Sequence, residues 1–177
     1  MHGQAGCRIT SGTTQWGDVA PMEPGLAMVM DETLTTSLQA VGAVMATAHD
    51  PWWVIASAAV ALHGADPGPV SDIDVLLSAG DAGRILPTIG VTVLPGDRHP
   101  DFRSDVFGRW HGPALSVEFM ADFHYRSAAG WVRVQPATRQ CIEIAGVALF
   151  VPARAELRRL LVAFGRPKDL ERARALR

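Results

Sequence analysis

Two cysteines in 177 residues leave little room for chemistry on sulfur. Cys7 and Cys141 lie far apart and form no CxxC pair, so neither a zinc site nor a disulfide framework is suggested. A reducing, cytoplasmic setting is the expectation, and the N-terminus lacks the apolar core of a signal peptide. Long apolar runs are missing too. The longest, Trp52 to Leu62, falls short of the roughly 18 residues that cross a bilayer, so no membrane partner is expected. The charge imbalance is small. Sixteen basic and eighteen acidic residues give a net charge of −2, so bulk charge does not point to nucleic acid. Lysine is nearly absent: Lys168 stands alone against fifteen arginines. No internal repeat or low-complexity block occurs.

The remaining composition, 48% hydrophobic and 19% charged, is that of a globular chain long enough to bury a substantial core. Residues 1–28 are rich in Gly, Thr, Gln and Pro, show no periodicity, and read as a flexible N-terminal arm. Residues 29–151 read as one domain of alternating helical and strand patterns, and 152–177 as a C-terminal helical segment packed on it. Charge divides along the same line: 152–177 carry +5 and the rest −7. A basic tail beside an acidic body suits phosphates or a polyanion, and equally a solvated helix face.

Asp31 reads as the cap of a helix over 32–48, with Leu34, Leu38, Val41, Val44 and Met45 at helical spacing. Trp52–Ile55 reads as a strand and Ala58–His63 as a helix, with His63 at its end. Asp81 reads as the cap of a helix to Ile89, followed by a strand at Val91–Leu94 and a turn at Gly96–Pro100. Residues 102–112 show no clear period. Leu115–Phe123 alternates, placing Ser116, Glu118, Met120 and Asp122 on one face. Short strands are expected at Trp131–Val134, Cys141–Ile144 and Val147–Val151. Helices are expected from Pro152 to Phe164 and from Lys168 to Leu176, parted by Gly165 and Pro167. The fold class is α/β (α+β), a mixed sheet flanked by helices.

One stretch carries the chemistry. Ala56-Ser57 opens an apolar run, a loop rich in Pro and Gly follows, and Asp72-Ile73-Asp74 lies in an apolar strand. Acids at i and i+2 of a strand share a face, while Ile73 and Val75 turn into the core. Two carboxylates so close raise each other's pKa unless a positive charge lies between them. Mg²⁺ suits such a pair, since it takes one or two carboxylates together with substrate phosphates.

The pattern Ile55-Ala56-Ser57, then Asp72-x-Asp74, resembles the nucleotidyltransferase superfamily, the group related to DNA polymerase β. The segment ASAAVALHG is similar to the opening of small bacterial AbiEii-like members. The resemblance covers Trp52–Ser78 well, is weaker over Ser116–Met120, and returns at Arg166-x-Lys168-Asp169. It implies a nucleotidyltransferase-like fold and a metal-dependent reaction with Mg²⁺ or Mn²⁺. A nucleoside monophosphate would pass from an NTP to a hydroxyl of an RNA, a protein or a small molecule. It implies Asp72, Asp74 and Glu118 as catalytic metal ligands, with Asp122 and then Asp105 in reserve behind Glu118. Ala56, Ser57 and Lys168 would hold the nucleotide, and Ser57 would meet phosphate at a helix N-terminus.

Three residues depart from the family pattern. Ala56 replaces a Gly, Leu161 stands where relatives often carry a Lys, and Arg172 where a second acid often follows. They leave a second reading: a catalytically impaired nucleotide- or partner-binding module, such as a toxin–antitoxin component with a protein partner. A glycosyltransferase that uses DxD to bind a nucleotide-sugar diphosphate is a third. The turn–loop–DxD order favours the first.

Overall fold

The computed structural model describes residues 30–96 and 99–177. The expected N-terminal arm and part of the turn expected at Gly96–Pro100 lie outside them. The main sheet is built from β1 (Trp53–Ile55), β2 (Asp72–Leu76), β4 (Val106–Trp110) and β5 (Ser116–Ala121), in the order β1-β2-β5-β4. β2 and β5 run parallel at its centre, and β1 and β4 flank them antiparallel. The sheet is mixed, as the alternation of helix and strand requires. A smaller sheet, β3 (Phe102–Arg103), β6 (His124–Ser127) and β7 (Gly130–Arg133), has the order β3-β6-β7. β8 (Gln140–Ile144) and β9 (Val147–Val151) form a hairpin. Its two-residue turn, Ala145-Gly146, holds φ +48° and +85°, the positive values such tight hairpins need.

The helices are α1 (Glu32–Met45), α2 (Ala56–Leu62), α3 (Ala79–Ile85), α4 (Arg154–Phe164) and α5 (Pro167–Ala175). α1 buries Leu34, Leu38, Val41 and Met45, one face at helical spacing. Gly42 lets that face approach β9, since an added Cβ would stand 3.0 Å from the Cβ of Val147. α2 is buried along its whole length, and its small residues fit it beneath the sheet. The main core joins these helices to Ile73, Val75, Val117 and Phe119 of the sheet, to Leu149 and Val151 of β9, and to Leu157 and Leu161 of α4. Fully burying side chains of this size stabilises by about 1.5–3 kcal/mol each. The C-terminal helices thus share the core of the sheet. No described helix is long and apolar enough to cross a membrane.

Some local expectations need correction. Asp81 does not cap α3. Ser78 does, its Oγ accepting the Asp81 N–H at 3.0 Å. Asp81, 2% exposed, instead accepts backbone N–H groups of His49 and Asp50 at 2.9–3.1 Å and pairs with Arg84. Burial opposes its charge, but these donors outweigh burial and hold its carboxyl below the usual range. Val91–Leu94 is not a strand. Val91 N–H turns back to the Leu86 carbonyl, and only Leu94 pairs, with Phe107. Asp31 precedes α1 without a side-chain cap bond, and α1 ends at Met45 rather than Ala48. α2 starts at Ala56, two residues early. β6 and the strands within 102–112 were not visible as a period.

Candidate active site

β2 alternates as its sequence requires. Ile73 and Val75 are fully buried in the main core, and Asp72 and Asp74 point to the other face. β5 lies beside it in register, Asp74 opposite Glu118 and Leu76 opposite Met120. Val117 and Phe119 enter the core, so Glu118 emerges on the face of the two aspartates. All three acids line one cleft of about 260 Å³.

Its other walls come from distant segments. Ile55 and Ala56 contribute from the β1–α2 junction. β3, the β5–β6 link and α4 contribute Phe102, Phe123 and Phe164, whose rings pack edge-on or stacked 5.5–6.2 Å apart. Arg166 and Lys168 enter from the start of α5, and Arg172 from its last turn. Arg166 lies over the Phe102 ring at 4.5 Å.

The charges are not balanced locally. Asp74 has its pKa raised to about 7, first by burial and then by the charges of Asp72 and Glu118; Arg166 and Lys168 oppose the rise. Glu118 has a partner of its own: Arg109, directly across the β4–β5 ladder, donates to it at 2.5 Å. Among the described residues no three His, Cys, Asp or Glu side chains form a metal-binding group. The expected three-carboxylate set therefore shares a cleft without closing into one cluster, and Arg109 is the group that holds Glu118 aside. Asp72 and Asp74 remain a fit for one hard divalent cation. Their chemistry is all carboxylate oxygen, and the repulsion that Arg166 and Lys168 relieve only in part is what such a charge removes.

The reserve acids stand elsewhere. Asp122 has φ +50°, which turns the chain out of β5 and off the Glu118 face; its carboxylate pairs with Arg133 at 2.6 Å. Asp105 is exposed in the link between β3 and β4. Ser57 is 2% exposed and does not line the cleft; Ala56 beside it does. His63 ends α2, its Nε2 2.8 Å from the Pro152 carbonyl, and burial lowers its pKa.

Two of the three departures change meaning in the structure. Leu161 is 0% exposed in the main core, so that position faces the interior and is not a vacated place in the cleft. Arg172 is 8% exposed and donates to the carbonyls of Pro67 and Pro69 at 2.9 and 3.1 Å. It braces the loop that delivers Asp72. Asp169, 0% exposed, accepts two bonds from Arg166 and lies 3.7 Å from Arg172. Arg166 thus pairs with Asp169 in the first turn of α5 and lines the cleft.

Ala56 remains a true departure. It has φ +53°, a conformation that glycine adopts freely and alanine does not. Ala56→Gly is expected to raise stability by about 0.5–1 kcal/mol, the left-handed strain relieved less the extra chain entropy of glycine. A shift of the urea midpoint at unchanged slope would show it, and a fall in midpoint would refute the strain.

Arg109 and the aromatic wall went unseen in the sequence because 102–112 has no regular alternation. The one available signal was the i, i+2 pair Phe107 and Arg109, upstream of the Ser116–Met120 strand.

No protein-family model matches the chain, and no curated protein matches it significantly. Solved structures do. A protein of Thermotoga maritima provisionally assigned as a nucleotidyltransferase superposes with a TM-score of 0.60 at 23% identity, over 78% of this chain and 88% of that one. The antibiotic-resistance factor ANT(2'')-Ia in solution gives 0.54 at 15% identity, over 83% and 84%. Its crystal structure with adenylyl-2''-tobramycin gives 0.52 at 14%, over 81% and 87%. These likenesses show the fold, which is nucleotidyltransferase-like.

Proposed function

We propose that this protein transfers a nucleoside monophosphate from an NTP to a hydroxyl acceptor: the acceptor oxygen bonds to the α-phosphorus, the bond from that phosphorus to the α,β-bridging oxygen breaks, and pyrophosphate leaves. One observation carries the reading: sheet-borne acids Asp72, Asp74 and Glu118 share a cleft with Arg166 and Lys168 from α5. A triphosphate needs both signs. Arg166 and Lys168 meet its phosphate oxygens as charged donors. Asp72 and Asp74 would hold Mg²⁺ or Mn²⁺, and the ion would supply positive charge against the phosphoryl oxygens. Glu118 is the acid placed to accept the acceptor's proton, and its bond to Arg109 opens for that step. Ala56 brings backbone close to the phosphates at the base of the cleft, with Ser57 behind it. The run from Ala56 to Gly64 supports an AbiEii-like origin for this arrangement.

The Arg109–Glu118 pair and the strain at Ala56 favour a second reading: a nucleotide-binding module with slow or no turnover, for example a toxin–antitoxin component. The two are separated by incubating the protein with each labelled NTP, Mg²⁺ or Mn²⁺, and total RNA or lysate. Label passing to an acceptor is the expected result. Nucleotide-induced stabilisation without label transfer establishes the module. A protein that neither transfers label nor melts later with NTP and metal refutes both.

A further inference from the structure

The small sheet presents a second, outward face that the proposed reaction does not use. Arg103 pairs with His124 across β3–β6, and Arg126 pairs with Trp131 across β6–β7. By alternation these side chains share a face, while Phe102 and Tyr125 turn inward against Phe164. Arg103 lies 4.7 Å from the centre of the Trp131 ring, and Arg126 lies 5.9 Å from it. Both arginines are exposed and Trp131 is half-buried. Among the described residues neither arginine forms an ion pair; Arg133 on the same face is matched by Asp122. Arg103 also lines the cleft, so the face runs continuously into the acidic centre. Within the cleft itself, basic side chains outnumber acidic ones by five to three.

We propose that the outer face of the small sheet, Arg103–Trp131–Arg126, is a docking surface for single-stranded nucleic acid whose terminal hydroxyl enters the cleft. Two guanidinium groups without an ion-pair partner among the described residues answer backbone phosphates, and the aromatic ring they lie against answers a base. Exposed arginines beside a half-buried tryptophan suit a strand with phosphates and flat bases together; an acidic peptide supplies the charge without the plane. The hydroxyl's role as acceptor depends on the transfer reading above, whereas strand binding does not.

Fluorescein-labelled 12-mers of RNA and of DNA are titrated into wild type, Arg126→Gln and Trp131→Ala, and anisotropy is read at several salt concentrations. Stabilisation by ATP with Mg²⁺ is followed in parallel on wild type. Wild type is expected to bind a strand with salt-dependent affinity. Trp131→Ala is expected to weaken it about tenfold through lost stacking. Arg126→Gln, at an exposed site that leaves the core intact, lowers the salt slope by about 0.7, the value of one phosphate contact. Absence of strand binding by wild type, affinities unchanged in both variants, or equal competition by poly-glutamate overturns the proposal. If ATP fails to stabilise wild type while strands bind as described, the transfer reading falls and the docking surface stands.

Discussion

Asp74→Asn is expected to abolish nucleotidyl transfer and at the same time stabilise the metal-free protein. On the proposed reaction, the first effect follows from removing one of the two carboxylates that would hold a cation beside the phosphates; losses of this kind run to about 10²–10³-fold or more. The second follows from the sign of its titration. Asp74 in the fold has a pKa of about 7, against an ordinary value of 3.8. Between those values the folded protein holds a proton that the unfolded chain has released. Wild-type stability therefore falls as pH rises from about 4 to 7 and is level above. At about 1.36 kcal/mol per pH unit the full difference is about 4 kcal/mol. Asp74 keeps some solvent contact, so about 2 kcal/mol is the expected gain in the Asn variant at pH 8. The gain should vanish near pH 4. Melting curves across pH, with and without Mg²⁺, check it. A variant less stable than wild type at pH 8 without metal would mean that Asp74 is a structural acid with a partner.

Asp169→Ala is expected to cost about 3 kcal/mol of stability, at the lower end of the range for breaking a buried ion pair. Arg166 is 33% exposed in its side chain and can rehydrate, which discounts its share. Arg172, 10% exposed in its side chain, cannot. It would stay buried against the Pro67 and Pro69 carbonyls without its anion. Two things should then loosen together: Arg166 in the cleft and the loop ahead of Asp72. The urea midpoint reads the loss of stability, and the melting shift with NTP and Mg²⁺ reads the loosening of Arg166 and the loop. Asp169→Asn, which keeps the acceptor oxygen, should lose less. A loss under about 1 kcal/mol in the Ala variant would show that the network carries little.

The central strand and its acids were legible in the sequence because β2 and β5 alternate strictly between core and cleft. α1 was legible by its helical spacing, and the break between α4 and α5 by Gly165, whose φ of +73° ends the helix. Elsewhere tertiary partners decided. Asp81 looks like a cap, yet its best donors are the backbone groups of His49 and Asp50, thirty residues away in the chain. Glu118 looks like a free ligand, yet Arg109 arrives on a strand whose pattern is irregular. Asp122 follows the alternation on paper, but a positive φ ends the strand before it. Leu161 is aligned with a functional lysine by spacing alone, and the helix turns that position inward. The aromatic wall gathers Phe102, Phe123 and Phe164 from three segments, a proximity that no local pattern encodes.

The parallel pairing of β2 with β5 also sets an order of events as the chain is made. β1 and β2 leave the ribosome early and can pair with each other, but the far edge of β2 has no partner until α3, β3, β4 and β5 have followed. For that interval an apolar strand with an open row of backbone donors and acceptors stands exposed, the kind of edge on which chains join one another. α1 waits longer still, since the hairpin that Gly42 receives comes near the end. Much of this fold's contact network joins distant parts of the chain, a topology that goes with slow folding. Asp72 and Asp74 interrupt the apolar residues of that strand, and acidic positions of this kind discourage edge-to-edge joining.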